Sequence, residues 1–225
     1  MSALPRRDAG ARAFLDEHGR RARPTVLARD RALTVTGSLG DQLPGGAVWR
    51  GAVVTVEGTV GSGATSAAMA IVAAATAVGE WAAVVDSSGT WGALAAADAG
   101  VALDRCAVVR PSTRFSLDQW AAVVAALLDG TSVVVAEVPR HARAADARRL
   151  VARARERRTV LVPLCAPRIT WPADAALRIQ ADGGVWHGLG AGHGLLAGCT
   201  WAVTVHGAAV AGASPVRAPV LAEAG

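Results

Sequence analysis

Short apolar runs alternate with longer segments of helical character through the middle of the chain. The apolar runs predict strands at residues 33–36, 53–56, 82–86, 107–109, 132–137 and 159–162. The segments between them predict helices at residues 67–78, 91–99, 117–128 and 140–158. Parallel strands that are buried on both faces have such continuous apolar runs, and crossover helices connect them. The pattern therefore predicts an α/β fold with a mainly parallel sheet flanked by helices.

The final third of the chain has a different pattern. Short strands are predicted at residues 176–180, 184–188 and 201–206, and glycines separate them. These strands indicate a short antiparallel extension at one edge of the sheet. The chain is thus expected to have three parts: an N-terminal helix and arginine-rich connector at 1–36, a core at 37–206 and a flexible C-terminal tail at 207–225.

The composition limits the classes of protein to which the chain can belong. An apolar content of 52% supports a packed globule rather than a disordered chain. No apolar run reaches the length of a membrane span, and the N-terminus lacks the apolar stretch of a secretory signal, so we expect a cytoplasmic protein. Cys106, Cys165 and Cys199 form no C-x-x-C pair and are predicted to be reduced core thiols. The net charge of +5 favours anionic partners without requiring nucleic acid.

A glycine-rich turn joins the predicted strand at 53–56 to the predicted helix at 67–78. Its residues are Gly58, Gly61, Gly63, Ala64, Thr65 and Ser66. The spacing is that of a P-loop, G-x-x-x-x-G-K-[ST], in which Ala64 replaces the lysine. The charge that holds the β- and γ-phosphates is therefore missing. Two interpretations remain: a structural turn that never meets a nucleotide, or weak nucleotide or phosphate binding at the helix N-terminus.

Several short sequence motifs around this loop occur in a characteristic order. The turn Leu43-Pro44-Gly45-Gly46 and the pair Arg50-Gly51 precede the loop, the run at 83–86 follows its helix, and 133–137 forms the next core strand. In this order the chain resembles the RecA-like family over residues 37–206, which implies a RecA-like P-loop core. Within that family it most resembles the ImuA-type proteins, in their actinobacterial ImuA-prime form.

The resemblance carries expectations about function. It implies a non-catalytic accessory protein of a mutasome, the complex that performs DNA-damage-induced mutagenic translesion synthesis. The expected partners are an ImuB-like relative of the Y-family polymerases and an error-prone replicative-type polymerase. Two alternatives stay open: a nucleotide-binding switch with little or no hydrolysis, and a RecA-related cell-division inhibitor.

The resemblance also assigns positions to the parts of an ATPase site. In the family, a strand that ends in an aspartate carries the catalytic glutamate two residues later. Asp86 corresponds to that aspartate and Ser88 to the glutamate. The aspartate on the magnesium side of the family's site corresponds to Glu137. The family's nucleotide-sensing glutamine falls near Cys165. Because serine cannot act as a carboxylate base and the loop lysine is missing, no hydrolysis is expected. No cofactor is expected beyond weak binding of ATP.

Arginines, histidines and the C-terminal region supply the remaining candidates. Candidate contacts to DNA or a partner, on an otherwise solvated helix, are Arg140, Arg143, Arg148, Arg149, Arg153 and Arg155. The candidate partner segment contains Trp201, Val216, Val220 and Leu221. No metal site is expected. The candidate ligands would be His187, His193, Cys199 and His206, and the spacing of these residues matches no compact ligand pattern.

Overall fold

The computed structural model of the protein describes residues 31–112, 115–189 and 194–207. The chain divides between residues 31 and 32, and only the unit that starts at Ala32 is described below. The predicted N-terminal helix and the predicted tail after residue 207 lie outside the described residues. The strands are β1 (Ala32–Thr34), β2 (Ala47–Trp49), β3 (Val54–Gly58), β4 (Ala82–Val85), β5 (Cys106–Val109), β6 (Val133–Glu137), β7 (Val160–Cys165), β8 (Leu177–Leu189) and β9 (Gly194–Gly207). The α-helices are α1 (Gly37–Gly40), α2 (Ala64–Ala77), α3 (Ala93–Asp98), α4 (Leu117–Gly130) and α5 (Ala144–Arg157).

A seven-stranded sheet forms the centre of this unit. Its strand order is β5-β4-β6-β7-β3-β8-β9. Neighbouring strands from β5 through β8 are parallel, and β9 pairs antiparallel with β8. The α/β class, the mainly parallel sheet and the antiparallel extension near the C-terminus are therefore confirmed.

Both faces of the parallel sheet are covered by helices, which explains the continuous apolar runs. Along β6, Val133 and Val135 belong to the core on the α2 side, whereas Val134 and Ala136 belong to the core on the α4 and α5 side. Successive side chains of a strand point to opposite faces, so a strand in a middle layer needs apolar residues at every position. The result is a three-layer arrangement of helix, sheet and helix.

The helices follow from local sequence signals. Nine of the fourteen residues of α2 are buried, and alanine, the best helix former, dominates the segment. A capping box starts α4, because the Ser116 hydroxyl accepts from the Gln119 N–H while the Gln119 side chain accepts from the Ser116 N–H. The stripe of Ala147, Leu150, Val151 and Ala154 that indicated a helix at 140–158 is buried along α5.

The C-terminal region corrects one expectation. Instead of three short strands broken by glycines, β8 and β9 are two long strands that pair over most of their length. The glycines do not interrupt the pairing. Gly183, with a φ of +98°, takes up an irregularity in register, and Gly184 allows a close approach, since a Cβ there would lie 2.7 Å from the carbonyl oxygen of Thr200.

The residues ahead of β3 pack on the same core. Strands β1 and β2 form a separate antiparallel pair. Leu33 and Val35, which precede the expected start of the core at residue 37, are buried in the cluster that contains α2. Among the described residues, no helix combines the length and the apolar character needed to cross a membrane.

Candidate functional site

A cleft of about 580 Å³ opens at the edge of the sheet where the parallel strands end. The segments that follow β3, β4, β6 and β7 line it, and the β8–β9 hairpin forms a further side. Ligands of parallel α/β sheets bind in this position, outside the carboxyl ends of the strands. The cleft is therefore the candidate functional site, and the glycine-rich loop forms part of its wall.

Glycine is required in the loop because the backbone folds tightly against the start of α2. A Cβ on Gly58 would lie 2.2 Å from Oγ of Ser62 and 3.0 Å from Cβ of Ala64. Gly61 and Gly63 have φ angles of +78° and +94°, a conformation that L side chains rarely adopt. Ser62 is buried inside this turn, and its hydroxyl has no hydrogen-bond partner among the described residues. Gly58 is thus required by close packing, whereas Gly61 and Gly63 are required by their backbone conformation.

The indole ring of Trp201 covers the last glycine of the loop. A Cβ on Gly63 would lie 3.0–3.2 Å from three atoms of that ring. Trp201 is only 5% exposed, so this candidate partner residue is packed against the loop. Trp186 lies on the same face of the hairpin, also lines the cleft and is 49% exposed. Of the two tryptophans that line the cleft, Trp186 is therefore the one accessible to solvent.

The lining of the cleft carries almost no charge. Ala64, at the lysine position of the loop, is 8% exposed and contributes only a methyl group. Thr65 and Ser66, in the first turn of α2, also line the cleft. None of the described lining residues is lysine, arginine or histidine, and Glu137 is the one with a carboxylate. An anion here would find backbone and hydroxyl donors but no cationic side chain among these described residues.

Glu137 links the end of β6 to the segment that follows β4. Its Oε2 accepts hydrogen bonds from the N–H groups of Ser87 and Ser88, each at 2.8 Å. Its Oε1 accepts from the hydroxyls of Ser88 and Thr90, the latter at 3.3 Å. The structure thus brings together Ser88 and Glu137, two of the positions that the resemblance singled out. Four donors already occupy the carboxylate, so its role in this site is to hold the loop at 86–90.

Asp86 is used inside the fold and does not line the cleft. It is 2% exposed and accepts from the N–H groups of Thr90 and Trp91, at 3.0 and 3.2 Å. Its Oδ2 also lies 2.8 Å from Nε of Arg110 in an ion pair. Sequence reasoning missed Arg110, because only the parallel register of β4 and β5 places the residues after the two strands side by side.

Two cysteines line the cleft, Cys165 and Cys199, and one of them has a strongly shifted pKa. Burial raises the pKa of the Cys165 thiol to about 12, and the negative charge of Glu57 contributes to the increase. Glu57 is paired in register with Cys165 across β3 and β7, and its Oε1 lies 3.5 Å from Nε of Arg178. A thiol with so high a pKa stays protonated at neutral pH, so Cys165 is a poor nucleophile.

The candidate arginines lie on or just before α5, and three of them form ion pairs. Arg143 pairs with Asp118, Arg149 with Asp146, and Arg153 with Asp129. The other three candidates are exposed and have no ion pair with a described carboxylate, namely Arg140, Arg148 and Arg155. The free positive charge of this surface is therefore smaller than the count of arginines suggests. Val216, Val220 and Leu221, the rest of the candidate partner segment, lie outside the described residues.

Comparison with known families decides the membership of the chain. The profile of the MT3502 N-terminal domain matches residues 41–173, which is more than half of the 225 residues. The chain belongs to this family. No curated protein matches it. The match to the MT3502 N-terminal domain includes the glycine-rich loop, Ser88 and Glu137, and it ends before β8 begins.

The histidines of this MT3502 family member do not assemble into a metal site in the described part of the chain. Nε2 of His187 lies 2.8 Å from the hydroxyl oxygen of Thr200, and His206 is exposed near the end of β9. His193 lies outside the described residues. Within residues 31–112, 115–189 and 194–207, no group of three or more potential ligands is close enough to hold a metal ion.

Proposed function

We propose that the protein is a non-catalytic RecA-like accessory or scaffold protein of a mutasome. In this role it binds an ImuB-like relative of the Y-family polymerases and supports an error-prone replicative-type polymerase in mutagenic translesion synthesis. The observation that carries the proposal is the cleft at the end of the sheet. It adjoins a loop with P-loop spacing, yet the described residues of its lining include no basic side chain and one carboxylate, Glu137.

The electrostatics of the cleft support the absence of catalysis. A P-loop lysine lowers the energy of the β- and γ-phosphates, and Ala64 cannot do so. A phosphate charge about 6 Å from Glu137 would be repelled by roughly 3 kcal/mol at an effective dielectric constant of about 20. The backbone N–H groups at the start of α2 offset part of this repulsion, but none of the lining residues that the structure describes adds a positive charge.

The polar groups that could activate water are also committed elsewhere. Ser88 donates its hydroxyl proton to Glu137, and serine has no carboxylate with which to accept a proton from water. Asp86 is buried in its ion pair with Arg110. Among the described residues that line the cleft, Glu137 is the one carboxylate, and four donors already occupy it. These observations support a scaffold rather than a hydrolase.

The test of catalysis uses purified protein and the variant Ala64→Lys. We expect neither to release phosphate from ATP above background, because restoring one loop charge leaves Ser88 in place of a carboxylate. Thr65→Ala serves as the control for a contaminating ATPase, since it removes the loop hydroxyl without changing the glycines. Turnover that survives purification and disappears in Thr65→Ala would overturn the proposal.

The test of partner binding is co-purification with an ImuB-like protein. We expect recovery of the partner by the full chain and weaker recovery after deletion of residues 214–225, with an unchanged circular dichroism spectrum. Equal recovery by both proteins would remove this segment from the interface. Failure of the full chain to recover the partner would overturn the mutasome assignment.

A nucleotide-binding switch is the second candidate, and the open cleft beside the N-terminus of α2 favours it. A switch must first bind nucleotide, and a nucleotide that binds the folded but not the unfolded protein raises the free energy of unfolding. Saturation at about a hundred times the dissociation constant would stabilise the protein by about 2.7 kcal/mol. A rise in melting temperature with ATP would support the switch, whereas an unchanged value supports the scaffold.

Contact with DNA, where it occurs, is expected to be weak, independent of sequence and dependent on salt. Arg148 and Arg155 are unpaired among the described residues, whereas Arg149 and Arg153 already bind aspartates. The double variant Arg148→Gln/Arg155→Gln should therefore weaken binding of single-stranded DNA more than Arg149→Gln/Arg153→Gln does. A fluorescence anisotropy titration at two salt concentrations measures this order, and the reverse order would contradict it.

A further inference from the structure

The last strand of the sheet has an outer edge that pairs with no described residue. Strand β9 extends over the 14 residues Gly194–Gly207 and is hydrogen-bonded only to β8. The irregularities in their pairing insert extra residues at Asp182 in β8 and between Gly194 and Gly198 in β9. From Gly198 to Gly207, β9 itself therefore continues without a bulge. Strands in globular proteins usually have about 5–6 residues, so this is a long unbroken edge.

This edge lacks the features that normally prevent strands from pairing between molecules. Exposed edges usually carry charged residues, above all lysine, or proline, or a bulge that twists the edge away. Residues 194–207 contain no lysine, arginine, aspartate, glutamate or proline, and His206 is their one ionisable side chain apart from the Cys199 thiol. The opposite edge of the sheet differs, because β5 has four residues and lies between Arg105 and Arg110.

The side chains of β9 also leave the edge accessible. On one face, Trp201, Val203 and Val205 are buried in the core next to α2. On the other face, Ala202 and Thr204 are small, uncharged and partly exposed. The nearest charge is Asp182 of β8, which accepts a hydrogen bond from the Thr204 hydroxyl at 2.9 Å. An incoming strand would therefore meet uncharged β9 side chains beside backbone groups that have no partner among the described residues.

We propose that β9 pairs antiparallel with β9 of a second copy of this chain, across a two-fold axis. Two identical strands suit such an interface, because each copy presents the same surface and both contacts are equivalent. Like charges directly opposite each other destabilise paired strands, and β9 has no fixed charge to repeat. The two seven-stranded sheets would join into one continuous sheet. This inference is independent of the proposed function and of any polymerase partner.

The experiment measures the mass of the full chain in solution by sedimentation equilibrium or light scattering. One copy has a mass of 22.7 kDa, so the wild type should approach twice this value as its concentration rises. Ala202→Lys places a charge at the centre of the edge, where the two copies would repeat it. We expect the dissociation constant of the dimer to increase by at least about tenfold, which corresponds to about 1.4 kcal/mol.

The matched control is Gln180→Lys. Gln180 is exposed on the same face and pairs in register with Thr204, but it lies in β8, one strand inside the edge. This variant adds the same charge and should leave the dimer unchanged. Circular dichroism establishes that both variants are folded. A wild type that remains monomeric at its highest soluble concentration would overturn the proposal, as would an Ala202→Lys protein that is still dimeric.

Hydrogen exchange of the wild type gives a second measurement that does not depend on a variant. Amide protons of residues 198–207 that point outward from β9 should be protected at high protein concentration and exchange faster on dilution. The amides of β5, at the other edge, should show no dependence on concentration. Equal exchange of the β9 amides at all concentrations would exclude the paired edge, even if the Ala202→Lys protein failed to fold.

Discussion

The contact between Gly63 and Trp201 predicts a specific loss of stability for Gly63→Ala. The substitution has two costs. A residue other than glycine in the left-handed region costs roughly 1–2 kcal/mol, and Gly63 has a φ of +94°. The new Cβ would also lie 3.0–3.2 Å from atoms of the indole ring, and overpacking of a buried site costs about 1–3 kcal/mol. We therefore expect the free energy of unfolding to fall by about 2–5 kcal/mol.

Gly61→Ala separates the two costs. Gly61 has a similar φ of +78°, but a Cβ there would meet no atom within 4 Å. It should therefore cost only the backbone part, about 1–2 kcal/mol. Urea unfolding followed by far-ultraviolet circular dichroism gives both values by linear extrapolation, provided that the slopes agree. The difference between the two variants measures the clash with Trp201.

A double-mutant cycle with Trp201→Leu completes the test. Replacing the indole destabilises the protein by itself, but it also removes the atoms that the new Cβ would meet. The cost of Gly63→Ala should then fall close to that of Gly61→Ala, which corresponds to a coupling energy of about 1–3 kcal/mol. If Gly63→Ala costs no more than Gly61→Ala in the wild-type background, the loop does not depend on the hairpin and the reasoning is wrong.

Two further predictions concern titration. Hydrogen bonds and charges of Arg153 and Arg157 hold the pKa of the Asp129 carboxyl below its ordinary value, so its contribution to stability is present at neutral pH and is lost as the pH falls below about 4. Asp129→Asn should make acid unfolding, followed by circular dichroism, less dependent on pH in that range, and an unchanged profile would contradict the ion pairs. Because burial and Glu57 raise the pKa of the Cys165 thiol to about 12, Cys165 should resist alkylation at pH 8 in the folded protein and react in urea. Mass spectrometry of peptides identifies the modified residue, and rapid labelling of the folded form would refute the assignment.

The parallel part of the fold was predictable because its signals are local. Strand β6 lies in the middle of three layers, so residues 133–136 are all apolar and both faces are buried. The buried stripe of α5 likewise repeats at helical spacing. The hairpin was predicted less well, since glycines such as Gly183 usually interrupt strands. Here Gly183 absorbs a register shift, and the pairing that tolerates it is a contact between distant segments.

The candidate site shows the same division. The loop glycines and the missing lysine at Ala64 follow from spacing alone. The contact of Trp201 with Gly63 joins residues more than a hundred positions apart, and no periodicity in the sequence indicates it. The four hydrogen bonds around Glu137 were equally inaccessible, because they depend on β4 and β6 being neighbours in the sheet. The residues of the candidate site could thus be named from the sequence, but the contacts that they make in the fold could not.

The end of the family match at residue 173 has a practical consequence for any fragment cut at that boundary. Such a fragment would lack β8, which pairs with β3 over Val54–Gly58. The strand that leads into the glycine-rich loop would then become an open edge, and Gly63 would lose its aromatic cover. The matched segment, residues 41–173, is therefore shorter than the smallest part of this chain that we expect to fold. Expression of residues 41–173 alone should yield aggregated protein.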